Sequence, residues 1–390
     1  MSTPDTAPTA TAPLAGVRIL ELAGIGPGPF AGMMLADMGA EVIRIDRPGG
    51  NPFAIAPPHD VLYRSRRSIA VDLKSPEGIE TVLRLCEGAD AIFEGYRPGV
   101  AERLGVGPEQ CQARNPALVY GRMTGWGQDG PLAPRAGHDI NYIALTGALH
   151  AIGRRGEGPI PPLNLVGDFG GGGMLLAYGL VCGIVQARVS GRGQVVDAAM
   201  VDGASALMAM FHGLHNAGLQ NPERGTNMLD TGAHFYDVFR TKDDRWVSLG
   251  PVEPQFYALM CDVLELDDDL RSSQFDQARW PELKQKLAAV VAERTRDELD
   301  ALFEGSDACY APVLELSEAP SHPHNVARGA FVDVGGQTHP APAPRFDGAP
   351  PTRPHAAAIP GTDTRATLLD AGFDGDEIDA LLASGAIAQI

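Results

Sequence analysis

Leu14–Pro48 reads LAGVRILELAGIGPGPFAGMMLADMGAEVIRIDRP. Val17–Ala23 within it is an apolar run of strand length, the pattern of a strand buried on both faces. Gly24–Pro29 breaks the run with alternating glycine and proline. Pro29–Met38 then reads as a helix opened by proline, and Glu41–Ile45 as a second strand. Strand, helix and strand in this order form a βαβ unit. Ser68–Leu73, Gly78–Cys86, Ala91–Tyr96 and Leu118–Gly121 continue the alternation. The pattern predicts an α/β domain built on a doubly wound parallel sheet.

Further along, Met174–Ala187 reads as a long apolar helix that follows a run of glycines. Around Asn216–Gly225 the pattern turns polar and irregular, a candidate linker. A smaller α/β segment follows, with a strand at Arg245–Leu249 and a helix at Pro254–Leu264. His339–Pro354 is proline-dense, a loop or strap. Thr362–Ile390 reads as a helix pair with Ala371-Gly372-Phe373 as its turn. There is no internal repeat. The expected organisation is a disordered tail over 1–13, a large domain over 14–214, a small domain over 225–318, and linkers between them.

Composition narrows the function classes. The chain has 390 residues, of which 44% are hydrophobic and 21% charged, as in a soluble globular protein of two domains. Its net charge of −18 argues against a nucleic-acid binder, so an anionic ligand must meet a local basic patch. The tail lacks the basic start and apolar core of a secretion signal. The apolar run Met174–Ala187 is too short to span a bilayer, and no membrane association is expected. Five cysteines lie far apart with no CxxC pair, which speaks against a zinc ribbon and fits a reducing, cytoplasmic setting. Cys86 and Cys182 sit in apolar helical patterns that suggest core packing. No metal site is expected.

Gly24–Pro29 follows a strand and opens a helix, and Asp46 lies about 20 residues on, which resembles a dinucleotide fingerprint. Yet Pro29 occupies the final glycine position, and Pro27 and Pro29 lack the backbone donors that a pyrophosphate needs. A rigid turn that starts a helix is the better reading.

Three stretches carry chemistry. In Gly137–Tyr142 (GHDINY), His138 precedes an apolar-periodic helix, where a side chain can project into a cleft; the plain alternative is a structural histidine. In Asn164–Gly173 (NLVGDFGGGG), Asp168 reads as the N-cap of the long helix. The four glycines after it cost about 0.5–1 kcal/mol each relative to alanine. Either a ligand approaches the backbone there, with free N–H groups to stabilise an oxyanion, or the helix packs tightly on a neighbour. In Gly250–Tyr257 (GPVEPQFY), Pro254 suits the first helical position and leaves Glu253 just before it. There an ionised carboxylate could orient a histidine or simply cap the helix.

Taken together, GHDINY, LNLVGDFGGG and EPQFY, with the opening stretch and the later YRPGV, GWGQDGP and GQVVDAAMVDG, resemble the α-methylacyl-CoA racemases of the family III CoA-transferase superfamily. The resemblance spans nearly all of the chain from Leu14 to about Gly348. It implies a large Rossmann-like parallel-sheet domain, completed by part of the segment 325–390, plus a smaller α/β domain, in an interlocked homodimer. It implies a catalytic trio of His138, Asp168 and Glu253. It also implies basic residues that hold the CoA phosphates. Arg47 in RIDRP matches best; Arg97 in YRPG, Arg64 and Arg67 fit by position, and Tyr142 is placed with them. The implied partners are an acyl-CoA substrate and a second copy of the chain. No separate cofactor is expected, because CoA is part of the substrate.

The chemistry agrees with the trio. Inverting a carbon α to a thioester takes one base to remove the proton and one acid to return it from the opposite face, and His with Asp supply such a pair. The competing enzyme reading is a family III CoA-transferase, which moves CoA between carboxylates through an anhydride at Asp168. That reaction needs the aspartate but not His138. A non-catalytic acyl-CoA binder needs only the basic residues. Met33, Met34, Met200, Met208 and Met210 could line an adaptable acyl pocket, although their helical spacing also suits an ordinary core.

Overall fold

The computed structural model describes residues 11–50, 55–57, 59–349 and 352–390. Most of the predicted disordered tail, residues 1–10, lies outside the described residues. Ala12 accepts a hydrogen bond from Ala15 N–H (2.9 Å), so ordered backbone begins before Leu14. The chain divides into two units, one of residues up to Thr146, Leu163–Leu207 and Gly329–Ile390, the other of Gly147–Pro162 and Met208–Arg328.

The first unit is built on β1 (Arg18–Leu22), β2 (Glu41–Asp46), β3 (Arg67–Val71), β4 (Ala91–Glu94), β5 (Val119–Thr124) and β6 (Val195–Ala199). These strands are parallel, in the order β3-β2-β1-β4-β5-β6, and Ile387–Ala388 adds an antiparallel edge on β3. The chain winds outward from β1 in one direction and resumes from β4 in the other. The loops after these two neighbours therefore diverge and open a crevice at the C-terminal edge of the sheet.

Alternating side chains of β1 enter opposite cores. Ile19 packs with Leu35 of helix α1 (Pro27–Asp37) and with Leu176, Leu180 and Ile184 of the Met174–Ser190 helix. Leu20 and Leu22 pack with Val82 and Leu85 of helix α2 (Pro76–Glu87) and with Leu368, Phe373 and Ile378 of the C-terminal helices. Each such side chain contributes about 1.5–3 kcal/mol when fully buried. Pro27 and Pro29 preset φ at the start of α1, while Ser75 Oγ accepts from Gly78 N–H (3.0 Å) to cap α2.

Leu165–Gly173 runs as a π-helical segment straight into the Met174–Ser190 helix. The continuous Leu165–Ser190 helix is long and apolar enough to cross a membrane by length and composition. In this fold one side of it is core, since Leu176, Leu180, Ile184 and Ala187 are buried against the sheet. Cys182, predicted to be core, is exposed instead.

The second unit centres on an antiparallel sheet of β7 (Asp237–Arg240), β8 (Trp246–Leu249) and β9 (Tyr310–Pro312), packed with the Pro254–Val263 and Trp280–Val291 helices. The sequence pattern assigns residues 147–162 to the large domain, but they fold with this unit. The reason is charge pairing. Asp237, its side chain 3% exposed, accepts two hydrogen bonds from Arg154 (both 3.0 Å) and one from Lys284 (2.7 Å). Arg224 likewise donates to the carbonyls of His150 (2.8 Å) and Glu157 (2.7 Å).

His234 is fully buried beside Tyr257. The Tyr257 hydroxyl donates to Leu270 O (2.7 Å), so it must accept from His234 Nε2–H (2.8 Å). Nδ1 has no partner among the described residues. Burial, helped by the charge of Lys284, pushes the imidazole down to about 4 from 6.5. The unfolded chain therefore takes up this proton first as pH falls. The neutral histidine's contribution is complete above about pH 6.5 and declines as pH drops toward 4. Denaturant midpoints measured at pH 7.5 and pH 5 should show a smaller loss for His234→Gln than for the parent chain. An equal loss would remove His234 as a source of acid sensitivity.

Candidate active site

A cavity of about 740 Å³ lies at the crevice beyond the C-terminal ends of β1, β4 and β5. The loop after β1 contributes Gly24–Gly28, and the loop after β4 contributes Tyr96, Arg97 and Pro98. The stretch after β5 contributes Gly125, Trp126, Arg135, Gly137 and His138. Asn164 and Asp168 close the wall opposite.

His138 is the extended residue that precedes the Asp139–Ala144 helix, and Asn141 Oδ1 accepts its backbone N–H (3.1 Å). The loop before it is held by Tyr142, whose hydroxyl donates to Gly137 O while its ring stands edge-on to Trp126 at 4.8 Å. Gly125 and Gly137 are required here, since a Cβ at either would lie within 2.0 Å or 2.7 Å of the Tyr142 ring.

Asp168 does not cap the long helix; it lies within the π-helical segment that precedes it. Its backbone N–H donates to Asp139 Oδ1 (2.7 Å), and its carboxylate accepts from Asn164 Nδ2 (3.1 Å). Burial pushes the Asp168 carboxyl above its ordinary range. The Asn164 hydrogen bond opposes this, the nearby Asp139 charge adds to it, and His138 pulls the other way. His138 and Asp168 thus face one cavity, and the carboxyl senses the histidine's charge. A half-buried carboxyl with a raised pKa holds a proton more readily than an ordinary one, which suits it to proton transfer.

The glycine run has a packing cause. A Cβ at Gly171 would lie 2.6 Å from Ala204 N, one at Gly172 2.9 Å from Met200 Cγ, and one at Gly173 2.6 Å from Pro27 O. The segment therefore lies directly against α1 and the Met200–Leu207 helix. The free helix start expected to hold an oxyanion is absent, because the N–H of Asp168 is taken by Asp139 and that of Phe169 by Asn164 O (3.2 Å).

The predicted basic residues separate. Arg97 lines the cavity, and Arg47 is exposed just past β2, with Nε bonded to Gly50 O (2.5 Å). Arg64 is 1% exposed, ion-paired to Asp37 and bonded to Pro340 O (2.6 Å), so it is structural rather than a ligand group. Arg67 opens β3 and pairs with Glu41 at the start of β2 (3.4 Å) and with Asp370 (2.8 Å). It therefore belongs to the N-terminal edge of the sheet, opposite the cavity. Tyr142 lines the cavity with its ring, but its hydroxyl is committed to Gly137. Asp46, the acidic residue of the dinucleotide-like pattern, is likewise occupied by Arg44 Nε (2.6 Å) and Ser68 Oγ (2.6 Å).

Glu253 lies in the second unit, in extended backbone just before the Pro254–Val263 helix. Of the five methionines noted in the sequence, Met200 lines the cavity and Met33 is core. Asn164, Asp139, Trp126 and Arg135 are site residues that residue-type reasoning passes over. Asn164 and Asp139 had a signal in their places inside NLVGD and GHDINY, while Trp126 and Arg135 are revealed only by the folding of their loop.

A doubly wound sheet with these acid–base groups at its switch point is the architecture of a known class: the chain belongs to CoA-transferase family III, whose profile matches residues 14–364. It is 45% identical over 368 residues to α-methylacyl-CoA racemase of Mus musculus, covering 94% of this chain and 95% of that protein. Identity to the Homo sapiens α-methylacyl-CoA racemase is 43% over 376 residues, covering 94% and 95%. The crystal structure of a CaiB/BaiF family protein from Brucella suis superposes with a TM-score of 0.79 at 25% identity, covering 93% of this chain and all of that one.

The two arginine environments predict opposite stability effects. Arg64→Gln should cost about 3–5 kcal/mol in denaturant unfolding, because it strands Asp37 as a buried charge. Arg97→Gln should stay within about 0.5 kcal/mol of the parent chain. Equal effects would mean that the burial difference does not govern their roles.

Proposed function

We propose that the chain is an isomerase that interconverts the R and S forms of 2-methylacyl-CoA thioesters. The observation that carries this reading is that His138 and Asp168 face one cavity as an acid–base pair. The similarity to proteins named α-methylacyl-CoA racemase supports it. One group removes the α-proton, the thioester carbonyl takes the charge as an enolate, and the other group returns a proton from the opposite face. Asn164 orients the Asp168 carboxylate for this task. Arg97 and Arg135 in the cavity lining and Arg47, exposed just past β2, meet the CoA phosphates. The reaction uses no cofactor beyond the CoA of its substrate.

The working form is a homodimer, with Glu253 of one chain orienting His138 of the other. A stripe on the outer side of the Met174–Ser190 helix supports a partner chain: Tyr178 is 68% exposed, Val185 59% and Val189 88%, with Cys182 between them. Apolar positions at this spacing line one helix face and call for a cover. The five cysteines are free thiols, which fits a cytoplasmic setting.

His138→Ala and Asp168→Ala should each nearly abolish deuterium incorporation at the α-carbon of a chiral 2-methylacyl-CoA, with circular dichroism unchanged. Near-parental exchange in either folded variant rules out its role. Thioester exchange that depends on an added carboxylate would instead mark a CoA-transferase. For the shared site, co-expressed His138→Ala and Glu253→Gln chains should recover up to roughly half the activity per heterodimer, since one of the two crossed sites is intact. No recovery in verified heterodimers would return Glu253 to the same chain as its His138 or remove it from catalysis.

A further inference from the structure

Gly24–Gly28 line the cavity, and the stretch Gly24–Phe30 touches the segment that carries Asp168 through Gly26, Pro27 and Phe30. A Cβ on Gly26 would stand 3.1 Å from Asp168 Oδ2, so that carboxylate rests against the bare backbone of the loop. Gly172 and Gly173 leave room for Pro27, with built Cβ positions 3.1 Å from its Cβ and 2.6 Å from its carbonyl oxygen. Phe30, one residue beyond the loop, stacks on Phe169 with ring centroids 4.7 Å apart. Any shift of this loop is felt at Asp168.

Gly24–Gly26 lead into α1 and Pro27–Pro29 form its first turn, where Gly26 O accepts from Phe30 N–H (3.2 Å). The stretch is glycine and proline around a single isoleucine, Gly26 sits at φ +68°, and two prolines supply no N–H, so it has few bonds of its own. Its two end carbonyls are instead gripped from beneath. The Tyr63 hydroxyl donates to Gly24 O (2.5 Å), and Arg66 Nη2 donates to Pro29 O. Both donors are buried, Tyr63 at 8% and Arg66 at 1% exposure. Behind them Glu21 pairs with Arg66 at 3.2 Å, and Gly32 of α1 is cut away for the pair, since a Cβ there would lie 2.6 Å from Glu21 Oε2.

Stability alone does not account for this arrangement. Glu21 Oε1 and Arg66 Nη1 lack hydrogen-bond partners among the described residues, the Arg66 Nε–Glu21 Oε2 ion pair at 3.2 Å is poorly aligned for a hydrogen bond, and burial pushes the Glu21 carboxyl up to about 7. Apolar replacement of a buried ion pair is often neutral or stabilising, so a pair this poorly satisfied is weak as a stabilising device. What it does supply is a directed donor to Pro29 O.

We propose that Tyr63 and the Arg66–Glu21 pair are positioning residues for Asp168, acting through the Gly24–Pro29 loop that they clamp at both ends. None of the three lines the cavity, and each acts through backbone that does, or that adjoins it. The proposal rests on Asp168 being a base of the racemisation reaction. If the clamp sets where the carboxylate stands relative to the α-carbon, its loss should lower turnover and leave substrate binding nearly alone.

Two variants test this. Tyr63→Phe deletes one hydroxyl and frees Gly24 O. The double variant Glu21→Leu with Arg66→Met replaces the pair by apolar side chains and frees Pro29 O. Both are assayed for α-proton exchange with 2-methylacyl-CoA at a temperature well below their unfolding midpoints. Tyr63→Phe should lower kcat by about tenfold with KM within about twofold, given that misplacement of reacting groups by about 1 Å can cost on the order of 10²-fold. The double variant, where folded, should show the same split even if its unfolding midpoint is as high as the parent's. An unchanged kcat in Tyr63→Phe overturns the proposal, and so does a raised KM at constant kcat, which would make the loop a substrate-binding element. Asp168→Asn serves as the reference. If it retains full activity, the assignment of the base has failed; if it is dead while Tyr63→Phe is normal, only the clamp has failed.

Discussion

The structure depends on the parting of the chain between β1 and β4. These parallel neighbours pair along their lengths, but their connections leave in opposite directions. The backbone beyond their C-terminal ends must separate, and a crevice forms with no side chain designed to make it. The site follows from this opening. Backbone of Gly24–Gly28 floors it from β1, Arg97 comes from the β4 side, and His138 arrives on a loop that follows β5. The one wall that the sheet cannot supply, Asn164 and Asp168, comes from the segment that leads into the long Met174–Ser190 helix.

Close packing brings that wall into place. Glycine at 171, 172 and 173 lets the π-helical segment settle onto α1 and the Met200–Leu207 helix at distances a Cβ would forbid. The backbone cost of those glycines is offset by contact with neighbouring helices rather than by a bound ligand. The same approach puts Asp168 against Gly26, partly removed from water, and burial is the largest cause of its raised pKa. Packing and acid–base chemistry are therefore one arrangement here: a looser segment would be a more ordinary carboxylate.

Charge is managed in the same way throughout the first unit. The cations beneath the sheet loops are consumed internally, Arg64 by Asp37, Arg44 by Asp46 and Arg66 by Glu21. The cations that face the cavity, Arg97 and Arg135, belong to its lining. In a chain of net charge −18, which arginines are consumed and which face the cavity decides where an anion can bind.

The sequence by itself determined β1 to β5, the first two helices and the long Met174–Ser190 helix of the first unit, though not β6, because apolar runs of strand length and helical apolar stretches report burial locally. It also brought His138 and Asp168 together through motif context, and both line the one cavity. Only the tertiary structure decided what the arginines do. Arg64 and Arg67 sit in the same short basic run, yet one is sealed against Asp37 and the other lies on the far edge of the sheet. Spacing along a chain does not encode which edge of a sheet a residue meets. Nor could sequence choose between the two readings of the glycine run, since close approach to a ligand and close approach to a helix demand the same missing Cβ. The allegiance of residues 147–162 was hidden for a related reason. It rests on Asp237, more than 70 residues away, which holds Arg154 across a distance no local pattern spans.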